Sequence, residues 1–191
     1  WRGGGRGFDN IVMVTLGTGV GGGIIMDGKI LTGENGAAGE IGHITVNPKE
    51  TLTCGCGCKG CLEQYSSATG VIRMAKERLE ASDKPSELRK FAADEIGGKE
   101  VFDAYKAGDE LALEIVDTQA RILGRALAQI ACVVDPEIFV IGGGVSKAGS
   151  ILTDSVKKYF EHYAFHACRQ TKFALAQLGN DAGIYGSACS I

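Results

Sequence analysis

The sequence has no long apolar run, no excess of basic residues and no low-complexity linker. No apolar stretch reaches the roughly 18 residues that a membrane-spanning helix needs, so we expect no membrane partner. The formal net charge is −3 and charges of both signs are mixed along the chain, which argues against a nucleic-acid partner. We see no signal peptide and therefore predict a cytoplasmic protein. With 45% hydrophobic residues among 191, the chain can bury a substantial core.

Glycine and cysteine, by contrast, are concentrated in a few places. The 29 glycines cluster at residues 3–7, 17–23, 33–42 and 142–144. Four of the seven cysteines lie between Cys54 and Cys61, and His43 precedes them by a short loop. Intervening glycines let the backbone curl so that several sulfur atoms converge, and zinc takes four such ligands. We predict a zinc site formed by His43, Cys54, Cys56 and Cys61, with Cys58 left over.

Disulfides and an iron–sulfur cluster are the alternatives for these thiols. Nothing else in the sequence indicates secretion, and the other cysteines (Cys132, Cys168 and Cys189) lie singly in apolar or helical surroundings. Spacings of this kind favour zinc over either alternative. Because four protein ligands leave no open position for a water molecule, the site would be structural.

Hydrophobic patterning predicts an initial strand hairpin followed by strands that alternate with helices. The expected strands are residues 11–16, 22–26, a return strand that begins at residues 29–31, 43–46, 137–141 and 171–175. The expected helices are residues 67–81, 99–106, 109–133 and 150–165, with a last helix after Gly183. Asp27-Gly28 is a hairpin-turn signal, and Asp109 is a helix cap. This order predicts a single α/β domain.

The glycine run after the first strand matches the string G-x-G-x-x-G over Gly17–Gly22. A dinucleotide site requires a helix after these glycines, whereas β-branched residues and a turn follow here, so we reject that interpretation. A strand–turn–strand hairpin remains, whose backbone N–H groups and Thr18 hydroxyl could bind phosphate oxygens. A hairpin that merely turns tightly is the alternative.

A second glycine motif, Gly142-Gly143-Gly144, follows the predicted strand at residues 137–141. Open α/β sheets bind ligands outside the carboxyl ends of their strands. Without side chains at this position, a flat base or a ribose could approach the backbone. A plain strand-to-helix turn is the competing interpretation.

Together these pieces resemble the ROK family of bacterial sugar kinases and repressors, and most closely its glucokinases. The matching segments are Leu16–Gly23, Gly39–His43, Cys54–Glu63, Asp135–Glu137, Ile141–Gly144 and Leu178–Gly183. The cysteine signature is highly specific and the glycine motifs support it. The resemblance spans nearly the whole chain and implies an actin-like ATPase (ribonuclease H-like) fold, with residues 1–191 as a single C-terminal domain and the N-terminal domain absent.

The resemblance also implies roles for individual residues in phosphorylating a hexose, most simply glucose at its 6-hydroxyl, with ATP and Mg²⁺. The implied ATP contacts are Gly17, Thr18, Gly19 and Gly21 for the phosphates and Gly142, Gly143 and Gly144 for adenosine. The implied sugar contacts are Glu40, His43 and Glu63; in isolation, Glu40 and Glu63 would be interpreted as solvated surface carboxylates. The family's catalytic aspartate would precede Trp1, so we expect no catalytic residue and no activity in these 191 residues alone. The family also implies a homodimer.

Two other functional classes were weighed against the kinase. Family repressors share this domain behind a helix-turn-helix, so a sugar-sensing regulator is the main alternative. The intact phosphate hairpin favours the kinase, because a sensor does not need to bind ATP. A zinc knuckle that binds nucleic acid is disfavoured by the acidic charge balance and by the lack of interleaved aromatic and basic residues.

Overall fold

One mixed sheet organises the part of the chain that the computed structural model describes, residues 3–179. Its five strands are β1 (Ile11–Leu16), β2 (Val20–Met26), β3 (Lys29–Ile30), β4 (Ile138–Gly142) and β5 (Lys172–Leu175). They lie in the order β3-β2-β1-β4-β5; the β1–β2 and β2–β3 pairs are antiparallel, and β1–β4 and β4–β5 are parallel. The predicted helix after Gly183 and the rest of that last motif, residues 180–183, lie outside the described residues.

Residues 3–179 form five α-helices, two of which begin at a residue whose side chain caps them. They are α1 (Glu63–Ser66), α2 (Ala68–Ala81), α3 (Gly98–Lys106), α4 (Glu110–Val134) and α5 (Ser150–Tyr163). The Ser67 side chain caps α2 by accepting from the Gly70 N–H, and the Asp109 side chain caps α4 by accepting from the Ala112 N–H. At the other end of α4, Asp135 adopts φ +42°, and Pro136 follows it and cannot continue the helix.

The core lies between the sheet and three helices on one of its faces. Alternate residues of β1 and β4 point to that face, where they pack with side chains of α2, α4 and α5. These inward residues are Val12, Val14, Leu16, Phe139 and Ile141. A smaller cluster of Ile11, Ile138 and Val140 lies on the opposite face. The alternation explains why both strands read as continuous apolar runs: each is buried on two sides.

Two sequence expectations about the region before the cysteine loop were wrong. The predicted strand at residues 43–46 is instead a 3₁₀ turn, Ile41–His43, followed by a single bridge between Thr45 and Cys61. The second strand begins at Val20, not at residue 22. It can run through the glycines because a Cβ on Gly22 would lie 2.3 Å from the Gly39 carbonyl oxygen, so the missing side chain admits the segment that leads to His43.

Among residues 3–179, no helix combines the length and the apolar character needed to cross a bilayer. The longest helix, α4, has a buried stripe but carries charged residues on its other side.

Candidate functional site

The cysteine loop closes on itself through short backbone hydrogen bonds. The Cys54 N–H donates to the Cys58 carbonyl at 2.7 Å, and the Gly57 N–H donates to the Cys54 carbonyl at 2.9 Å. Gly60 has φ +74°, and a Cβ on it would lie 1.9 Å from the Asn47 carbonyl oxygen. Only glycine fits this return of the chain, which brings the last cysteine back against the first part of the loop.

Four side chains converge inside this loop. One ligand atom each from His43, Cys54, Cys56 and Cys61 lies within 4.8 Å of the others. The Cys56 and Cys61 Sγ atoms are 3.6 Å apart, and the Cys54 Sγ is 3.8 Å from the His43 Nδ1. Cys58 is exposed and does not belong to this group. The structure therefore brings together the four residues predicted as zinc ligands, and three thiols with one imidazole are a donor set that suits zinc.

The thiols of this group differ in their protonation. Burial raises the pKa of Cys54 above its usual value, and burial raises the pKa of Cys61 to about 12. The backbone N–H of Cys58 beside the Cys56 sulfur lowers the pKa of Cys56 to about 7. Metal ions bind thiolates, so loading this site displaces protons from the two buried thiols. The six cysteines among residues 3–179 are all free of disulfides.

Two carboxylates flank the imidazole of this cluster. His43 directs Nδ1 towards Cys54, while its Nε2 lies 3.8 Å from the Glu40 Oε2. The Glu63 Oε1 accepts a hydrogen bond from the Cys54 thiol at 2.9 Å and lies 3.8 Å from the His43 Nδ1. The Glu40 side chain is 63% exposed and that of Glu63 only 24%. The three predicted sugar contacts are thus neighbours, with Glu63 held closest to the cysteines.

Glu63 also reaches the glycine hairpin. A Cβ on Gly19 would lie 2.6 Å from the Glu63 Oε2, so the carboxylate occupies the space that this glycine leaves open. The hairpin turn is tied to the same region, because the Ala68 N–H at the start of α2 donates to the Gly17 carbonyl at 2.8 Å. The Ser67 hydroxyl in turn donates to the Glu63 carbonyl at 2.6 Å. The metal-ligand cluster and the hairpin therefore meet at one side chain.

The second glycine motif lies at the same edge of the sheet. β1 and β4 are parallel, so the hairpin and Gly143 both follow carboxyl ends of neighbouring strands. Gly143 has φ +87°, and a Cβ on it would lie 2.5 Å from the Leu16 carbonyl oxygen. A Cβ on Gly17 or on Gly144 would meet nothing within 4 Å. Open backbone therefore faces outward from both motifs, at the position where open α/β sheets bind ligands.

Sequence reasoning missed the side chains that support this arrangement. The Tyr65 hydroxyl donates to the Glu50 carboxylate at 2.5 Å, and Arg73 lies beside both residues. The Gln119 amide, buried in α4, donates to the Ser66 carbonyl at 3.1 Å and so fixes α1 to the core. The cap at Ser67 could have been predicted from a serine before a helix. The other contacts join distant parts of the sequence and leave no local signal.

Comparison with known proteins gives consistent matches across the chain. The ROK family model matches residues 1–190. A glucokinase of Halalkalibacterium halodurans is 49% identical over 190 residues, which are 97% of this chain and 57% of that protein. The crystal structure of a ROK family glucokinase from Streptomyces griseus in complex with glucose and AMPPNP has a TM-score of 0.87 at 38% identity, covering 97% of this chain and 61% of that one. The crystal structure of a ROK family transcriptional regulator, homologous to the E. coli MLC protein, has a TM-score of 0.82 at 31% identity, covering 94% of this chain and 45% of that one.

The chain thus spans between 45% and 61% of the lengths of these three proteins. Its mixed α/β arrangement is the actin-like ATPase fold of the ROK glucokinases, as the sequence resemblance implied, with a cysteine–histidine loop that could hold zinc. Because the family model covers nearly every residue and the glucokinase relative is 49% identical, the chain belongs to the ROK family.

Proposed function

We propose that this chain forms the larger part of an ATP-dependent hexose kinase, most simply a glucokinase that phosphorylates the 6-hydroxyl of glucose. The observation that carries the proposal is the position of Glu63, which lies between Gly19 of the hairpin and Cys54 of the metal-ligand cluster. If Glu63 binds a sugar hydroxyl at this position, that hydroxyl is next to the hairpin backbone whose N–H groups can bind phosphate. Phosphoryl transfer depends mainly on such juxtaposition and on charge stabilisation.

In this proposal the sugar is bound by Glu40, His43 and Glu63. Carboxylates accept hydrogen bonds from vicinal hydroxyls, each worth about 1.5–3 kcal/mol. Glu63 is the most buried of the three, whereas Glu40 is exposed and free to adjust to the sugar. His43 directs Nδ1 to the cysteines, which leaves Nε2 for a hydroxyl.

The proposed nucleotide contacts lie at the carboxyl ends of β1 and β4, next to the proposed sugar contact Glu63. The N–H groups of Gly17, Gly19 and Gly21, with the Thr18 hydroxyl, would bind ATP phosphates. Gly142, Gly143 and Gly144 would lie against adenosine, where the missing side chains leave room. Mg²⁺, when bound with ATP, would neutralise charge that develops on the transferred group. The general-base aspartate that accepts the hydroxyl proton is expected outside these 191 residues, and the chain alone is proposed to be inactive.

His43, Cys54, Cys56 and Cys61 would hold a structural zinc ion, which would cross-link the loop that carries His43 to the segment that carries Glu63. The ligand residues then act on the sugar indirectly, by fixing the positions of the imidazole and the Glu63 backbone. A homodimer in the cytoplasm is part of the same proposal and rests on the family resemblance.

A sugar-sensing transcriptional regulator is the second candidate. It is supported by the TM-score of 0.82 to the ROK family transcriptional regulator. The open backbone at Gly17 and Gly144 favours the kinase, because a sensor has no need for a nucleotide site.

The proposal is tested with a chimaera in which this chain replaces the matched segment of the H. halodurans glucokinase. We expect the chimaera to consume ATP in the presence of glucose in a coupled assay, and the 191-residue chain alone to show no turnover. A folded, zinc-loaded chimaera without turnover, beside an active parent enzyme, would contradict the kinase. Turnover by the isolated chain would contradict the expected position of the general base.

A further inference from the structure

The segment that leads into the cysteine loop is held by a buried carboxylate to which no role has been assigned above. The Glu50 side chain is only 10% exposed, although it is charged. Its Oε1 accepts from the N–H groups of Thr51 at 2.8 Å and Leu52 at 3.1 Å, and its Oε2 accepts from the Tyr65 hydroxyl at 2.5 Å. That Tyr65 hydrogen bond and the two backbone donors lower the pKa of Glu50. A buried carboxylate is tolerated only when it is satisfied in this way.

Tyr65 and Arg73 connect this carboxylate to the helices. The Tyr65 hydroxyl also accepts from the Asn47 Nδ2 at 2.7 Å. The Arg73 Nη2 lies 3.4 Å from the Glu50 Oε2 and donates to the Gln64 carbonyl at 2.9 Å, and the guanidinium lies 5.1 Å from the centre of the Tyr65 ring. The hydroxyl, the guanidinium and the carboxylate therefore form one connected group across three segments.

Gln64 links this group of side chains to the residues that carry the metal ligands. Its Oε1 accepts from the Cys61 N–H at 3.0 Å, and its Nε2 donates to the Leu52 carbonyl at 3.0 Å, two residues before Cys54. Cys54 and Cys61 are thus held from both sides of the loop by contacts that converge on α1. Glu63 is the first residue of that helix, so the same contacts fix the carboxylate beside Gly19.

We propose that Glu50, Tyr65 and Arg73 are positioning residues, which hold Cys54 and Cys61 at a metal-binding separation and hold Glu63 beside the hairpin. Removing a group that hydrogen-bonds directly to a metal ligand typically changes metal affinity or activity by about 10–100-fold. Glu50, Tyr65 and Arg73 act one step further away, through Gln64 and the Leu52 backbone, so we expect the lower end of that range. The effect on metal retention needs only the cysteine–histidine cluster. The effect on sugar binding rests on the proposed kinase function.

The test measures how fast the zinc-loaded 191-residue chain loses zinc to a chromogenic chelator. We expect Tyr65→Phe to release zinc about tenfold faster, because it removes one hydroxyl and leaves Glu50 and Asn47 short of a partner. The phenylalanine ring fills nearly the same volume as the tyrosine ring. Glu50→Gln is a second variant, which removes the charge of the carboxylate that accepts the Tyr65 hydrogen bond. Glu77→Gln is the matched control: it removes the exposed partner that Arg73 contacts at 2.9 Å and should leave zinc release unchanged.

In the chimaera, the same variants should raise KM for glucose more than KM for ATP. The proposal is overturned if both Tyr65→Phe and Glu50→Gln release zinc at the wild-type rate, or if the wild-type chain binds no zinc. If zinc release accelerates while the parent chimaera has no kinase activity, the positioning role stands and the proposed function fails.

Discussion

Glu63 is the residue on which the two halves of the candidate site depend. Its two carboxylate oxygens face different motifs: Oε1 lies 2.9 Å from the Cys54 Sγ, and Oε2 lies 2.6 Å from the position that a Cβ on Gly19 would take. The glycine motif is therefore more than a turn, because its missing side chain makes room for the carboxylate. A side chain at position 19 should disturb binding before it disturbs folding.

We predict that Gly19→Ala raises KM for glucose in the chimaera by about tenfold, the size expected when one charge-assisted hydrogen bond to a sugar hydroxyl is lost. The added Cβ would lie 2.6 Å from the end of a flexible side chain, which can move aside with little cost to stability. Steady-state kinetics and thermal unfolding of the same preparation separate the two effects.

Gly23→Ala is the matched control for this substitution. It adds a methyl group to another glycine of the same hairpin, within β2, where the new Cβ would meet only the Met13 Cβ, at 4.0 Å. It should change neither KM nor the unfolding temperature. Equal KM values for the position-19 and position-23 variants would show that Glu63 does not bind the sugar from its observed position.

At this scale, sequence predicted the metal ligands because their spacing is local. His43, Cys54, Cys56 and Cys61 lie within one short stretch, and the glycines between the cysteines dictate the tight return. The contact between Glu50 and Tyr65 could not be predicted in the same way. It depends on how the chain returns after the cysteine loop, and a glutamate or tyrosine alone does not indicate a partner.

Among the elements, α4 is the clearest case of sequence patterning and capping acting together. The Asp109 Oδ1 accepts from the Ala112 N–H at 3.0 Å, and its Oδ2 accepts from the Glu87 N–H at 2.6 Å. One carboxylate thus begins the helix and attaches the preceding 3₁₀ turn, Glu87–Lys90, to it. Partial burial acts to raise the pKa of Asp109, but hydrogen bonds from Ala112, Ser86 and Glu87 outweigh it and hold the pKa below its usual value.

We predict that Asp109→Ala lowers the free energy of unfolding by about 1–2 kcal/mol at neutral pH, as for other lost helix caps. Since the folded-state pKa is depressed, the ionised carboxylate contributes fully above its unfolded pKa of about 3.9 and progressively less as pH falls through the folded value. The difference in the free energy of unfolding between the wild type and Asp109→Ala should therefore become smaller at acidic pH. Denaturant unfolding at a series of pH values measures it.

Asp109→Asn is the control, because an amide oxygen can still cap the helix but cannot titrate. Its stability relative to Asp109→Ala should be nearly independent of pH. A wild-type advantage over the alanine variant that stays constant down to the most acidic pH would contradict the role of the charged carboxylate.

The elements also show where local patterns stop being informative. Strands β1 and β4 were predictable because they are continuous apolar runs, and α2 and α4 because their apolar stripes are clear. The segment at residues 43–46 alternates like a strand, yet it forms only a single bridge, because the 3₁₀ turn Ile41–His43 occupies its beginning. The short helix α1 has no periodic signal, since four residues make barely one turn.

For the molecule as a whole, the sheet brings distant motifs to one edge. The hairpin follows β1 and the second glycine motif follows β4, more than a hundred residues later, and parallel pairing of the two strands makes them neighbours. The parallel pairing of β1 with β4 cannot be predicted from the order of the elements along the sequence, but it is implied by the family resemblance. In the glucokinase relatives, the matched segment is 57–61% of the protein, so the proposed activity belongs to a longer chain than these 191 residues.

In the proposed kinase, a metal ion held by His43, Cys54, Cys56 and Cys61 shapes the sugar site through Glu63 and the imidazole. The most direct test is the dissociation constant for glucose, measured by calorimetry on the chimaera with Cys56→Ser and, as its control, Cys58→Ser. We predict that Cys56→Ser lowers zinc content and weakens glucose binding by at least about tenfold, while Cys58→Ser changes neither. Unchanged glucose affinity in a zinc-depleted Cys56→Ser protein would contradict the claim.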